Sequence, residues 1–317
     1  MKLVTNSPAM QAVAELIDRV AATASNVLVL GESGTGKDAT ARLIHDRSPR
    51  RDRPFVKIDC AALPEELLES ELFGYEKGAF TGATESKPGR LEAAGGGTLV
   101  LDEIASLIPQ SQAKLLRVIE ERSFERLGGK QLIKIDVRII ALANVDIKEA
   151  VRARGFRDDL YYRLAVVTIE LPRLIDRFED IPQLADEFVR QFASRSGRPG
   201  VRLSSEALEA LSDYDFPGNV RELRNIIEHA VLTTNQEVIE PDGLPEYLRS
   251  AARLMQSRRV KPSLAELEAV YIREVLEHTR GNKTRAAEIL GISRKNLYEK
   301  MRRYKIGQLR TGSAALN

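Results

Sequence analysis

Two hydrophobic patterns alternate along the first 170 positions of the chain. Short continuous apolar runs, typical of buried parallel strands, occur at 26–30, 54–58, 97–101, 136–143 and 166–171. Between them, apolar residues three or four positions apart predict amphipathic helices at 8–22, 37–47, 64–73 and 111–121. Strands that alternate with helices predict an α/β fold in which a parallel sheet carries helices on both faces. Ligands of such sheets bind at the carboxyl ends of the strands.

The strand pattern stops near Arg173. Helical spacing continues at 180–192, 204–214 and 219–232, which predicts a smaller all-α unit over 174–248. Residues 249–262 are polar, basic and non-periodic, which indicates a linker, and residues 307–317 indicate a frayed tail. An α/β domain over 1–173 and an all-α domain over 263–306 complete the predicted organisation.

A glycine-rich turn follows the first predicted strand. Its residues are Gly31, Glu32, Ser33, Gly34, Thr35, Gly36, Lys37 and Asp38. The backbone N–H groups of such a turn, with the N-terminus of the next helix, can wrap triphosphate oxygens while the lysine reaches the outer phosphates. Asp38 stands where the motif usually has a Ser or Thr hydroxyl that touches Mg²⁺, so a degenerate site is the alternative on these residues alone.

Asp102 and Glu103 end a later apolar strand. One carboxylate can hold Mg²⁺, and the other can orient or deprotonate a water. Together with the glycine-rich turn, this pair predicts hydrolysis of a nucleoside triphosphate and not binding alone.

Composition narrows the class of protein further. The chain has 317 residues, of which 43% are hydrophobic and 30% charged, as in an ordinary soluble globular protein. It shows neither a leader segment nor an apolar run approaching about 18 residues, so cytoplasm is the expected location and no membrane contact is expected. Cys60 is the only cysteine and the three histidines lack metal-ligand spacing, which excludes an internal disulfide and a cysteine-based metal site.

The charge is unevenly distributed. Residues 251–317 carry 15 Lys and Arg against 6 Asp and Glu, whereas residues 1–250 carry 33 against 40. A basic segment on an acidic body suggests a nucleic-acid module, although a solvated charged helix has the same composition. Within it, residues 282–301 predict a helix, a turn at Gly291 and a second helix capped by Ser293. A helical hairpin for protein contacts is the alternative.

Residues 71–83 have the sequence ELFGYEKGAFTGA. Together with residues 31–38, 96–103, 156–164 and 216–225, this segment resembles the bacterial sigma-54-dependent transcription activators, which are enhancer-binding proteins of the AAA+ ATPase class. The resemblance covers residues 6–306 and extends to a C-terminal Fis-type helix-turn-helix domain. It implies an α/β AAA+ domain with an all-α lid, in which ATP hydrolysis remodels the closed complex of sigma-54 RNA polymerase.

The resemblance also implies roles at the nucleotide site. Lys37 would bind the β- and γ-phosphates of ATP, Asp102 would hold Mg²⁺ and Glu103 would activate the attacking water. Asp38 matches the acidic residue that relatives commonly have at this position. Asn144 matches the polar sensor of the γ-phosphate, with a strand-end cap as the alternative.

Three arginines match further motifs of the family. Arg157 and Arg163 match the arginine-finger segment, and Arg221 matches the second sensor, with Asn219 able to cap its helix. Arginine fingers act across a subunit interface, so the resemblance implies dimers that assemble into a hexameric ring. The alternatives are an interface salt bridge for Arg157 or Arg163 and an ordinary surface position for Arg221.

Asp59 departs from the family, whose members usually have Asn there. Relatives use that amide to hold the catalytic glutamate away from water until the partner is engaged. A carboxylate cannot donate a hydrogen bond to Glu103 unless it is protonated, and the two anions repel. The hypothesis is that coupling between partner contact and hydrolysis is altered while the chemistry survives.

A glycine- and alanine-rich hexamer is expected to extend from the sheet and press on sigma-54 in the RNA polymerase holoenzyme. It consists of Gly78, Ala79, Phe80, Thr81, Gly82 and Ala83, with Phe80 and Thr81 at the tip. Residues 124–129 are expected to support it as a second loop. A flexible surface loop is the alternative.

The second helix of the Fis-type domain is expected to enter the major groove of upstream enhancer DNA. Base edges would be read by Arg294, Lys295 and Asn296, and phosphates would be contacted by Lys300, Arg302 and Arg303. The helix at 264–278 is expected to pair two protomers, which implies an inverted-repeat DNA site.

Two other functions stay open on the sequence. One is another AAA+ remodeller, such as a replication initiator or loader, and the other is a DNA-binding repressor that uses ATP only as an assembly switch. The intact hexamer at 78–83 disfavours both. No receiver or sensing domain is expected before residue 6, so either such a domain has been removed or a separate protein supplies control.

Overall fold

The structure is a computed structural model that describes residues 4, 6–144, 147–246, 248, 264–279, 281–304 and 306. The chain divides into two compact units, residues 1–249 and residues 250–317. The predicted linker at 249–262 and the predicted tail at 307–317 lie outside the described residues.

A five-stranded parallel sheet forms the centre of the first unit, as the apolar runs predict. Its strands are β1 (Val27–Leu30), β2 (Phe55–Asp59), β3 (Thr98–Asp102), β4 (Arg138–Ala143) and β5 (Val167–Glu170), in the order β2-β3-β4-β1-β5. The register sets Asp59 opposite Asp102 and Leu30 opposite Ala143. Asp59 and Asp102 therefore end their strands at one edge of the sheet, and the glycine-rich turn and Asn144 follow strands that end at the same edge.

Helices cover both faces of this sheet. They are α1 (Pro8–Ala21), α2 (Lys37–Asp46), α3 (Glu65–Phe73), α4 (Arg90–Ala93), α5 (Pro109–Glu121), α6 (Ile147–Arg152) and α7 (Asp158–Leu164). Side chains alternate along each strand, so Leu99 packs in the core with α3, α5 and α7, whereas Val100 packs in the core with α1 and α2. None of the helices in the described ranges is long and apolar enough to cross a membrane.

Two short antiparallel strand pairs interrupt the α/β alternation. One joins Gly74–Tyr75 to Lys87–Pro88, and the other joins Ser123–Phe124 to Ile133–Lys134. Two-residue strands are too short to produce a recognisable alternation pattern, which is why the sequence did not predict them. The first pair encloses residues 76–86, so the hexamer at 78–83 forms the loop between its strands. A 3₁₀ turn, Ile104–Ser106, follows β3.

The lid is helical apart from one short strand pair. After a 3₁₀ segment at Leu174–Asp180 come α8 (Ile181–Arg195), α9 (Ser205–Ser212), α10 (Asn219–Thr233) and a second 3₁₀ turn at Pro241–Gly243. The two strands Arg202–Leu203 and Val238–Ile239 pair in parallel, a two-residue addition to the helical lid that was predicted for 174–248. They hold the start of α9 beside the segment that follows α10.

The second unit is a three-helix fold around its own small core. Its helices are α11 (Leu264–His278), α12 (Lys283–Ile289) and α13 (Arg294–Arg303). The Asn282 side chain accepts hydrogen bonds from the backbone N–H groups of Thr284 and Arg285 in α12. The Ser293 hydroxyl accepts one from the N–H of Asn296 at the start of α13. Gly291 has a φ of +64°, which a residue with a side chain rarely adopts, so the predicted turn residue is confirmed.

Candidate nucleotide-binding site and partner surfaces

The glycine-rich turn links β1 to the N-terminus of α2. The Lys37 ammonium donates to the carbonyl oxygens of Gly31 at 2.7 Å and Glu32 at 3.1 Å. Burial lowers the pKa of Lys37, while the carboxylates of Glu103 and Asp102 oppose that shift. A positive charge that is shielded from water at the mouth of an anion-binding turn is suited to phosphate oxygens.

Helix α10 of the lid meets this turn directly. Nη1 of Arg221 donates to Oγ of Ser33 at 2.7 Å, so the predicted second-sensor residue lies beside the turn. Asn219 differs from its predicted role, because Gly218 is the N-cap and Asn219 is the first helical residue. The Asn219 amide instead donates to Glu32 Oε2 and to the Ser33 carbonyl oxygen, both at 3.1 Å.

Two acidic residues of the site share one lysine. Nζ of Lys57 lies 2.7 Å from Oδ2 of Asp102 and also forms an ion pair with Asp38. Burial opposes protonation, but the hydrogen bonds to Asp102 and Asp38 hold the pKa of Lys57 above its usual value. Sequence reasoning missed Lys57, although it lies two positions before Asp59 on a strand expected to end at this edge.

Glu103 has an unusual backbone conformation directly after β3. Its φ of +51° is uncommon for a residue with a side chain. Burial raises the pKa of Glu103; Lys37 opposes this shift, and the charges of Asp102 and Asp59 add to it. The backbone N–H of Asn144 donates to the Glu103 carboxylate, so the predicted sensor position lies beside the predicted base, with its own side chain exposed.

Asp59 is exposed and forms a local hydrogen bond. Its Oδ1 accepts from the backbone N–H of Ala61 at 2.9 Å. Asp59 therefore acts on Glu103 through charge repulsion, as expected for a carboxylate in place of an amide.

Arg157 and Arg163 lie at opposite ends of α7 and are both exposed. Arg157 makes two hydrogen bonds to the Asp159 carboxylate, at 3.0 and 2.7 Å, and Arg163 lies 2.8 Å from Glu120. The structure therefore places both arginines on the surface, paired with carboxylates. Sequence reasoning gave neither of these partners.

The hexamer at 78–83 forms a tight exposed loop. Its base is closed by hydrogen bonds from Gly78 N–H to the Ala83 carbonyl and from Ala83 N–H to the Phe80 carbonyl, at 2.9 and 3.1 Å. Phe80 is 44% exposed, and its ring meets the edge of Tyr75 at 4.9 Å between centroids. Thr81 is exposed beside it, so both predicted tip residues face solvent.

Arg126 joins the predicted supporting loop to both ends of this segment. Its guanidinium makes two hydrogen bonds to Glu92, at 2.9 and 2.8 Å, and one to Glu76, at 3.0 Å. Leu127 exchanges backbone hydrogen bonds with the strand ahead of the hexamer, donating to the Gly74 carbonyl at 3.0 Å and accepting from the Glu76 N–H at 2.9 Å. The segment at 124–129 therefore packs against the base of the hexamer loop.

The predicted DNA-contacting residues occupy α13. Exposed members are Arg294, Lys295, Asn296, Arg302 and Arg303. Lys300 differs from the others, because its ammonium lies 2.5 Å from Oε1 of Glu268 on α11. A phosphate contact by Lys300 requires this ion pair to open. Sequence reasoning missed Tyr298, which is 46% exposed on the same helix and carries the Lys283 ammonium over its ring.

A sheet of order β2-β3-β4-β1-β5 with a glycine-rich phosphate turn, an acidic strand end and a helical lid defines an AAA+ ATPase. Three family models match the chain: "Sigma-54 interaction domain" over residues 3–170, "AAA+ ATPase lid domain" over 175–260 and "Bacterial regulatory protein, Fis family" over 263–304. The chain belongs to the sigma-54-dependent transcriptional activators. It is an ATPase that couples hydrolysis to transcription activation.

Curated relatives agree with this family. The chain is 46% identical over 312 residues to the regulatory protein AtoC of Escherichia coli K12, covering 96% of this chain and 68% of that protein. It is 48% identical to the transcriptional regulatory protein ZraR of Salmonella typhimurium, covering 95% of this chain and 68% of ZraR. Nothing in these comparisons supports a repressor.

Solved structures show the same fold. NtrX from Brucella abortus in complex with ATP matches with a TM-score of 0.74 at 33% identity, covering 96% of this chain and 70% of that chain. The ADP complex of the same protein matches with a TM-score of 0.73 at 34% identity.

Proposed function

We propose that this activator binds Mg²⁺–ATP where the glycine-rich turn, the end of β3 and the start of α10 meet. The proposal rests on one arrangement at this edge of the sheet: Lys37 donates to two carbonyls of the turn, and Arg221 donates to Ser33 of the same turn at 2.7 Å. The carboxylates of Glu103 and Asp102 lie close enough for their charges to act on Lys37. Lys37 binds the outer phosphates, and Glu103 accepts a proton from the attacking water. Arg221 reports the phosphate state to the lid.

The donor set suits magnesium. Asp38 and Asp102 already converge on a cation, the Lys57 ammonium, so their carboxylates face a position that stabilises positive charge. In the described residues, no group of three or more Asp, Glu, His or Cys side chains could hold a metal ion. Mg²⁺ does not need such a group, because it is usually held by one or two carboxylates together with substrate phosphates. When bound, Mg²⁺ neutralises charge on the phosphates.

The argument for a ring of protomers comes from the two exposed arginines at the ends of α7. Both lie on the surface of the unit that contains the nucleotide site, where a neighbouring protomer could receive them. We infer that Arg157 or Arg163 leaves its carboxylate partner and stabilises the phosphoryl group bound by the adjacent protomer. A hexamer built from dimers provides these interfaces.

The loop at 78–83 is the surface that delivers force to sigma-54. Its closed base and its contacts with the segment at 124–129 allow movement of the α/β domain to reach the exposed tip. The helix-turn-helix unit holds the activator on upstream inverted-repeat DNA, with α13 in the major groove.

Two variants test the assignment of the nucleotide site. Lys37→Ala removes the phosphate contact and is expected to abolish ATP binding. Glu103→Gln removes the base and is expected to keep ATP binding but stop turnover. ATP binding, measured by equilibrium dialysis, separates the two variants. Equal turnover by Glu103→Gln and the unchanged chain would contradict the site assignment.

A further inference from the structure

Side chains outside the glycine-rich turn hold two of its carbonyl groups. The Ser33 carbonyl oxygen accepts from Asn219 Nδ2 at 3.1 Å, and the Thr35 carbonyl oxygen accepts from Arg177 Nη2 at 2.6 Å. In a planar trans peptide, the N–H of the next residue points away from the carbonyl. These two hydrogen bonds therefore fix the directions of two N–H groups. The Gly34 N–H points away from Asn219, and the Gly36 N–H points away from Arg177.

Asn219 uses all of its side-chain amide hydrogens in contacts with the turn. Its side chain is buried, and its backbone has a φ of +51° at the first position of α10. Both amide hydrogens are donated to the turn, one to Ser33 and one to Glu32, while Oδ1 accepts from the Leu174 N–H at 2.8 Å. One side chain thus joins the turn to the segment that leads into the lid.

Arg177 lies in that same segment. It is 4% exposed, and its backbone leaves helical geometry, with φ −141° and ψ 46°. Its Nε is buried without a hydrogen-bond partner among the described residues, an arrangement that lowers stability. The contact with the Thr35 carbonyl gives this buried cation a role in positioning the turn.

The backbones of the turn and the lid are also in close contact. A Cβ added to Gly34 would lie 2.3 Å from the Gly218 carbonyl oxygen and 3.1 Å from Cβ of Arg221. Gly34 also has a φ of +81°. Only glycine fits at this point, so the position of the turn depends on the start of α10.

We propose that Asn219 and Arg177 are positioning residues by which the lid sets the glycine-rich turn in its phosphate-binding conformation. The inference deepens the proposed nucleotide site and rests on it. Because the lid holds the carbonyls, the N–H groups face the phosphates before nucleotide arrives, and binding does not have to order them. A change in lid angle alters phosphate affinity through these two side chains as well as through Arg221.

The test compares nucleotide binding by the full chain and three variants. Asn219→Asp removes both donors but keeps the shape and the acceptor for Leu174. The double variant Asn219→Asp, Glu32→Gln restores one hydrogen bond between the two positions. Its direction is reversed, because the amide at position 32 now donates to the carboxylate at position 219. The control is Ser204→Ala, which removes the N-cap of α9 in the lid without touching the turn. ADP affinity is measured by titration calorimetry, with thermal unfolding and backbone hydrogen exchange.

We expect Asn219→Asp to weaken ADP binding roughly ten- to a hundred-fold, because two hydrogen bonds are lost and the turn must be ordered on binding. Amide exchange in residues 33–36 should speed up, and the double variant should recover part of the affinity. Ser204→Ala should lower the unfolding temperature and keep the affinity of the unchanged chain. Unchanged ADP affinity and exchange in Asn219→Asp would overturn the inference, whereas failure of the unchanged chain to bind ADP would overturn the nucleotide site itself.

Discussion

The ammonium of Lys57 lies 2.7 Å from Oδ2 of Asp102, between that residue and Asp38. A cation of the protein thus stands at the carboxylates proposed to take Mg²⁺. Metal binding must displace this lysine or share its partners. The apparent affinity for magnesium therefore depends on an amino acid outside both nucleotide motifs.

Lys57→Ala should tighten the apparent binding of Mg²⁺. Without the ammonium, Asp38 and Asp102 repel each other and gain more from a metal ion, by about 1 kcal/mol for partly exposed groups. The concentration of Mg²⁺ that gives half-maximal ATPase rate, at fixed ATP, should fall several-fold. Lys114→Ala removes a lysine that pairs with Glu69 and is the matched control. An unchanged or weaker magnesium requirement in Lys57→Ala would contradict this account.

Asp59→Asn should extend ATPase activity to lower pH. Burial, with repulsion from Asp102 and Asp59, raises the pKa of Glu103, so the active carboxylate is lost as pH falls through a value above its usual range. Removing the Asp59 charge lowers that pKa and should move the acid limb of kcat to lower pH. Asp52→Asn is the control, because Asp52 precedes β2 at the opposite edge of the sheet. Superimposable profiles for Asp59→Asn and the unchanged chain would refute the repulsion.

Mixing two inactive variants should restore ATPase activity. Arg163→Ala keeps a complete nucleotide site but offers no arginine, and Glu103→Gln offers the arginine but cannot activate water. If the arginine acts across the interface, mixed rings contain complete sites, and each single variant alone should lose about 10³-fold or more in kcat. A chain that carries both substitutions should not rescue Arg163→Ala. Full ATPase activity in a sample that light scattering shows to contain only single protomers would exclude action across an interface. The same experiment with Arg157→Ala decides which arginine acts.

Substitutions on α13 should separate base reading from phosphate contact. Arg294→Ala should weaken binding to the specific site by about 1–3 kcal/mol more than binding to unrelated DNA. Arg302→Ala should weaken both equally and reduce the salt dependence of binding by about 0.9 in the log–log slope. Fluorescence anisotropy at several salt concentrations measures both effects. Loss of specificity in Arg302→Ala without a change of slope would reverse the two assignments.

Much of this fold could be predicted from sequence, because its sheet is built from continuous apolar runs. The predicted strand at 97–101 and β3 at Thr98–Asp102 differ by one position. The pair of strands in the lid escaped prediction, since two residues give no period. Ser293 was predicted as a helix cap and is confirmed, because a cap depends only on residues within three positions of it.

The long-range contacts of the site could not be predicted in this way. Asn219 and Glu32 are 187 positions apart, and only packing of the lid brings the amide to the turn. The residues around Lys57 in the sequence form no motif. Its contact with Asp102 depends on the register that sets β2 beside β3. Helix periodicity gives the start of α10 but not the positive φ that aims Asn219 at the turn.

ATP hydrolysis is proposed to act on sigma-54 through the loop at 78–83, and Thr81→Ala separates this action from hydrolysis itself. Formation of heparin-resistant open complexes with sigma-54 RNA polymerase and promoter DNA is measured beside ATP turnover in the same reaction. Open complexes are expected for the unchanged chain with ATP, and none with a non-hydrolysable analogue. Thr81→Ala is expected to turn over ATP at a similar rate but to form no open complex. Open complexes at the normal level from Thr81→Ala, or from the unchanged chain without hydrolysis, would contradict this proposal.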